Sequence, residues 1–272
     1  MIQDIFPYTF NNTYISRQPS KDSLILFYRD QSILLAKSDN MIRFPSYDEW
    51  VDDKTIFTYL FTIADISYFL ASPDTNAFPT NFTLEHSRNL KPLCPKHFVL
   101  AGITGLQLFR WYTDNQYCGR CKNPLSHRNG ERALICKSCT NIVYPKISPA
   151  IMVAIVHQDK ILMVRQAHGP YKKLALIAGF SEIGETIEET ASREVFEEVG
   201  LKIKNLTYYK SQPWPFTDTL LIGFYAELDG NDEITLDKEE LSQAIWVRRE
   251  DIDVSTDGFS LTNEMILNFK NL

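Results

Sequence analysis

The stretch 179–201, GFSEIGETIEETASREVFEEVGL, constrains this chain more than any other. Thr186 with Glu189 three residues on is a capping box, so a helix is expected to start there. Gly200 is the expected left-handed stop just past the helix end. Ile187, Ala191, Val195 and Val199 recur every four residues and give that helix one apolar stripe for burial. Glu194, Glu197 and Glu198 stand at i, i+3 and i+4, so their carboxylates share a face. At roughly 100° per residue that face adjoins the apolar stripe, whereas a merely solvated acidic face usually points away from the core. Like charges crowded at a core edge repel, and a hard divalent cation with oxygen ligands, Mg²⁺ or Mn²⁺, removes the penalty. For the three glutamates alone, a solvated acidic helix is the competing reading.

The residues around the glutamates separate the two readings. Glu185 follows Gly179 after five residues, and Arg193-Glu194 follows Glu185 after seven. The whole stretch resembles the Nudix box, G-x5-E-x7-R-E-U-x-E-E-x-G-U, at every fixed position. The resemblance implies a hydrolase that cleaves a nucleoside diphosphate linked to another group, with divalent metal, on a mixed α/β/α sandwich. It implies that Glu194, Glu197 and Glu198 hold metal and activate water. Arg193 would pair with Glu185 and hold the loop against the helix, and the backbone carbonyl of Ala178 would be a further ligand. Phe180, beside a turn expected at Gly179, would stack on a base.

The chain has 272 residues, 44% hydrophobic and 23% charged, as in ordinary globular proteins. Its net charge of -6 argues against bulk nucleic-acid binding and means that a polyphosphate would need metal between itself and an acidic site. The run 98–109 is too short and too polar to span a bilayer, and the start MIQDIFPYTF carries no signal-peptide pattern. A cytoplasmic location is the expectation. Of five cysteines, Cys118 and Cys121, then Cys136 and Cys139 after fourteen residues, have the spacing of two knuckles closing on one structural Zn²⁺. A redox CxxC or bound iron are the alternatives; Cys94 reads as an inert side chain.

Three regions are expected: a β-rich segment with a closing helix over 1–112, a zinc ribbon over 113–146, and the catalytic domain over 147–272. In the first, 24–28, 32–37 and 55–64 read as strands, with turns at Asn11-Asn12, 29–31 and 38–40, and 96–112 reads as a helix after Pro95. In the last, strands are expected at 150–156, 160–165, 174–178, 203–210, 220–228 and 240–247, and a closing helix at 261–269.

Ser211-Gln212-Pro213-Trp214-Pro215-Phe216 reads as a rigid loop with exposed aromatics on which a nucleobase can stack, or else as a packed β-bulge loop. It resembles the SQPWPFPxS signature of the NADH pyrophosphatase (NudC) subfamily, and so does the four-cysteine module before it. Thr217 stands in place of the last proline and Thr219 in place of the serine, with Asp218 between them. The resemblance, which covers about 85–250, implies that these residues hold a dinucleotide. It further implies that Arg88, Glu131 and Tyr144 contact substrate across a homodimer boundary, and that Glu240 is a fourth metal carboxylate, with Glu239 next to it as the rival. Plain surface charge is the other reading of Arg88 and Glu131.

The expected reaction is hydrolysis of NAD⁺ or NADH to AMP and the nicotinamide mononucleotide, with Glu198 or Glu197 as base. Removal of NAD caps from RNA involves the same bond; Lys172, Lys173, Arg248 and Arg249 are the basic residues to consider. The alternatives are hydrolysis of ADP-ribose, dinucleoside polyphosphates or a damaged nucleotide, and a nucleotide-sensing binding module.

Overall fold

The computed structural model describes every residue except 51–52, 74–77, 92 and 170–172, so Lys172 lies outside the described residues. The chain divides into two compact units, one of residues 2–146 and one of Met1 with 147–272.

In the first unit a four-stranded sheet runs in the order Phe10–Asn11, Ile56–Ile63, Ile66–Ser72, Leu24–Leu26, and a second links Tyr28–Arg29, Ser32–Ser38, Met41–Arg43 and Thr83–His86. Asn11 therefore lies in a strand and not in the expected turn: Phe10 and Asn11 pair with Ile63 and Thr62. The turns at 29–31 and 38–40 do form, with positive φ at Asp30, Asp39 and Asn40. Helix α1 (Lys96–Asp114) presses on the strands through Gly105: an added Cβ would stand 2.3 Å from the Tyr28 hydroxyl, which itself donates to the Gly102 carbonyl at 2.7 Å. The four-cysteine module follows, with a sheet of Leu125–His127, Leu134–Cys136 and Ile142–Val143.

The second unit is built on a mixed sheet ordered Ile203–Trp214, Thr219–Leu228, Ser148–His157, Lys160–Gln166, Leu241–Arg248, with Ile177–Phe180 also paired to Ser148–His157. Ser148–His157 runs parallel to Thr219–Leu228 and antiparallel to its other neighbours. Helix α2 (Ile187–Val199) buries Ala191, Val195 and Val199 on one face against Ile151, Val153, Ile155 and Phe224. Helix α3 (Leu261–Lys270) buries Leu261, Met265, Ile266 and Phe269 on the other face against Met152, Ala154 and Met163. The unit is the expected α/β/α sandwich.

Two boundaries differ from expectation, and both matter for the site. The third strand is Ile177–Phe180 and not 174–178, so Gly179 is a strand residue opposite Ile151 and forms no turn. The strand Ile203–Trp214 runs through Ser211, Gln212 and Pro213, and the loop is reduced to the 3₁₀ turn Pro215–Thr217. Proline is tolerated there because this is the edge strand of the sheet.

Candidate active site

Helix α2 begins and ends where its sequence dictates. The Thr186 side chain accepts from the Glu189 amide at 3.1 Å, and Glu189 accepts from the Thr186 amide at 2.8 Å. Gly200 closes the helix at φ 69°, its amide donating to the Phe196 carbonyl at 2.9 Å. Such caps contribute about 1 kcal/mol each and fix where the glutamates point.

Arg193 ties the preceding loop to the helix. Its Nε donates to Glu185 Oε1 at 2.5 Å, and its Nη2 donates to Glu185 Oε2 and to the Phe180 carbonyl, both at 3.0 Å. Glu185 also accepts from the Glu182 amide at 3.0 Å and the Thr190 hydroxyl at 2.9 Å. The Arg193 guanidinium, with these bonds, holds the Glu185 carboxyl down at about 2. Arg193 Nη1 meanwhile bridges Glu194 and Glu197, each at 2.8 Å.

The three box glutamates are not equivalent. The Glu197 side chain is 57% exposed and turned toward Arg193. Glu198 is only 2% exposed, and its buried Oε2 has no hydrogen-bond partner among the described residues. Burial, with repulsion from Glu194, Glu240, Asp237 and Glu197, pushes the Glu198 carboxyl up to about 8. Glu194 is raised as well, first by burial and then by Glu197 and Glu240, against the pull of Arg193. Glu240, and not Glu239, is the neighbour that acts on both carboxylates. Asp237 carries no signal in the sequence beyond its place in the acidic turn LDKEE before a strand.

Gly179 fits this cluster for a reason other than turning. A Cβ on it would stand 1.9 Å from Glu194 Cδ and 2.2 Å from both carboxylate oxygens, so the Glu194 carboxylate lies flat on the Gly179 backbone. Ala178, whose carbonyl is the proposed ligand, is the preceding strand residue. Gly179→Ala is expected to displace Glu194 and weaken Mn²⁺ affinity by about 10-fold or more while leaving helix content unchanged; Mn²⁺ titration beside far-ultraviolet circular dichroism checks it.

Glu194, Glu198 and Glu240 act on one another electrostatically and offer only oxygen donors, although among the described residues the four cysteines alone bring three or more ligand atoms within 4.8 Å of one another. Oxygen donors suit a hard divalent cation. Without one, a buried unpaired charge is costly.

The edge-strand residues are placed differently from the expectation of exposed aromatics. Trp214 and Phe216 are half-buried and pack with Phe259, at ring-centroid distances of 5.8 and 6.4 Å. The Gln212 side chain is fully buried; it donates to the Phe259 carbonyl at 2.8 Å and accepts from the Leu261 amide at 2.7 Å. Gln212 thus pins the start of α3 to the edge strand. Pro213 is exposed and Pro215 buried. Asp218 takes a left-handed φ of 56°, and the Thr217 and Thr219 hydroxyls bond each other at 2.8 Å, closing the turn that a proline would otherwise stiffen. Phe180 is 53% exposed beside the box loop.

In the first unit Glu131 and Tyr144 do meet: the Tyr144 hydroxyl donates to Glu131 Oε1 at 3.2 Å, and Arg128, not foreseen from the sequence, bonds Glu131 as well. Arg88 is exposed in a separate 3₁₀ turn, Ser87–Leu90. Lys173 is exposed; Arg248 faces Glu250 at 3.6 Å and Arg249 lies over the Phe269 ring.

Cys118, Cys121, Cys136 and Cys139 converge, their sulfurs all within 4.8 Å of one another. The pairs at 3.3, 3.4 and 3.6 Å are too far apart for disulfides, which need about 2.05 Å. They approach the edge of a tetrahedron around Zn²⁺, about 3.8 Å for Zn–S bonds of about 2.3 Å. The two knuckles repeat one design. The Lys122 and Thr140 amides donate to the Cys118 and Cys136 carbonyls, both at 2.8 Å, with left-handed φ of 64° and 60° at Lys122 and Thr140. The cluster is able to hold a metal ion.

Among the described residues no helix is long and apolar enough to cross a membrane. Comparison with known proteins agrees with the architecture. The NUDIX domain family model matches residues 146–268. The NAD-capped RNA hydrolase NudC of Salmonella typhi is 43% identical over 155 residues, 57% of this chain and 60% of that protein; the protein of the same name from Salmonella heidelberg (strain SL476) matches equally. The chain thus spans 60% of the length of these curated relatives. A NUDIX hydrolase crystal structure from Nitrosomonas europaea shares the fold, with a TM-score of 0.50 and 22% identity over 57% of this chain and 90% of that one. Over residues 146–268, nearly the whole second unit, the chain is thus similar to the NUDIX domain family.

Proposed function

We propose that the protein is a metal-dependent pyrophosphatase of NAD⁺ and NADH that also acts on the same linkage at NAD-capped RNA 5′ ends. The observation that carries this reading is the buried Glu198 Oε2, partnerless and crowded by Glu194 and Glu240. The 43% identity to proteins named NAD-capped RNA hydrolases supports the substrate class. Glu194, Glu198, Glu240 and the Ala178 carbonyl would hold Mg²⁺ or Mn²⁺, with Glu197 at the rim. Such an ion, when bound, neutralises charge on the pyrophosphate and acidifies water.

In this reading Glu198 Oε2 takes the proton of the attacking water. The water oxygen bonds to one phosphorus, the bridging P–O bond breaks, and AMP and the nicotinamide mononucleotide leave. Arg193 keeps Glu185 and the box loop closed on α2. Phe180, Trp214 and Phe216 supply flat apolar surface for the bases, and Pro213, Pro215 and the Thr217–Asp218–Thr219 turn shape it. Gln212 acts from inside the fold by holding the strand end. Zn²⁺ in the cysteine cluster is structural. A homodimer would bring Glu131 and Tyr144, with Arg88, to the partner's substrate; Tyr117 and Tyr144, exposed on the first unit, suit such an interface. The cytoplasm, where thiols stay reduced, is the setting of this reading.

Product analysis tests it. With Mg²⁺ or Mn²⁺, NADH should give AMP and reduced nicotinamide mononucleotide, and NAD-capped RNA should give a 5′-monophosphate end. Intact NADH beside rapid cleavage of ADP-ribose would shift the assignment to that substrate, a shift to which Thr217 in the aromatic turn points.

A further inference from the structure

Glu194 and Glu198 ride on α2, but Glu240 comes from a separate segment. That segment is strapped to the helix end. The Thr235 amide donates to the Val199 carbonyl and the Asp237 amide to the Glu198 carbonyl, both at 2.9 Å, which satisfies two carbonyls of the last helical turn. Thr235 Cβ stands 2.8 Å from where a Gly200 Cβ would be, so the strap lies directly on the helix cap. Beyond it the Leu241 amide returns to the Asp237 carbonyl at 2.9 Å, and the Ala167 amide donates to the Glu240 carbonyl at 2.8 Å.

Between these anchors the chain turns, and the exposed Glu240 on that turn acts electrostatically on both Glu194 and Glu198. Asp237 Oδ1 accepts from the Glu239 amide at 2.9 Å, an Asx turn that fixes the backbone immediately before Glu240. The same residue grips α2 through its amide. Asp237 is thus the joint between the helix carrying Glu194 and Glu198 and the turn carrying Glu240. It is half-buried, and its charge is felt at Glu198.

We propose that Asp237 is a positioning residue of the metal site: its side chain closes the turn that delivers Glu240 to Glu194 and Glu198. The inference rests on the reading of Glu240 as a carboxylate that holds metal. The Asx turn needs an acceptor oxygen at this position and no charge, so asparagine should serve as well as aspartate, and alanine should not.

The test is Mn²⁺ binding to the zinc-loaded full chain without substrate, followed by electron paramagnetic resonance, for wild type, D237A, D237N, E240Q and the D237A/E240Q double variant. D237A and E240Q are each expected to weaken Mn²⁺ by about 10- to 100-fold, the double variant by little more than either, and D237N to stay close to wild type. A normal D237A beside a weakened E240Q overturns the proposal alone, as does a D237N as weak as D237A, which would make Asp237 a ligand through its charge. A normal E240Q overturns the metal reading of Glu240 and this proposal with it. If D237A melts below the assay temperature, D237N and D237S decide. Affinity falling from Asn to the shorter, weaker Ser acceptor supports the proposal; equal affinities overturn it.

Discussion

Replacing Glu198 by glutamine is expected to lower kcat by about 10²- to 10⁴-fold and, in buffer without Mg²⁺ or Mn²⁺, to raise the melting temperature at pH 8.5. Both effects follow from one side chain that is 2% exposed with a partnerless oxygen. Glutamine keeps the volume but can neither take a proton nor carry the charge that a cation would neutralise. The pH dependence has a definite sign. Below about 4.5 the Glu198 carboxyl is protonated in both the folded and the unfolded chain and costs nothing. Between 4.5 and about 8 the unfolded chain releases the proton while the folded protein retains it, so stability falls as pH rises; above 8 the penalty is complete. The gain from glutamine should therefore shrink toward zero near pH 4.5. Scanning calorimetry of the two proteins across this range reads it, and a wild type as stable as the variant at pH 8.5 without metal would contradict it.

Replacing Cys136 by serine is expected to abolish zinc retention and unfold the module between α1 and residue 146. Cys136 is fully buried, and the module's sheet consists of strands of only two or three residues. So small a sheet does not hold together by burial. Zinc binding contributes about 10–16 kcal/mol in comparable peptides, and that free energy is folding free energy. Elemental analysis should find one zinc per chain in wild type and none in Cys136→Ser, and limited proteolysis should cut the variant within 113–146. The second unit, with its own two-sided core, should melt separately and little changed. A metal-free wild type with a protease-resistant module would overturn this account.

The parts legible in the sequence were those written locally. The capping box at Thr186, the stop at Gly200 and the stripe from Ala191 to Val199 each use neighbours within one helix, and each forms. The cysteine knuckles were legible because thiolate spacing fixes a tetrahedron. Gly179 reads as a turn in the sequence because a glycine in a strand and one in a turn look alike; what requires it is the Glu194 carboxylate on its backbone. Ser211–Pro213 suggested a loop because proline rarely enters a strand, and only the sheet order makes theirs an edge strand. The interior place of Gln212 could not be foreseen, since its partners Phe259 and Leu261 come from the far end of the unit. Glu239 and Glu240 are distinguished only once the turn around Asp237 is folded.

Anomalous diffraction from crystals of the substrate-free protein with Mn²⁺ most directly tests whether the crowded acids on α2 form a metal centre. A manganese peak within about 2.0–2.6 Å of oxygens of Glu194, Glu198 and Glu240 and of the Ala178 carbonyl is the result expected. Carboxylates of Glu194, Glu198 and Glu240 all without manganese at millimolar Mn²⁺, with the ion bound elsewhere or not at all, would contradict it.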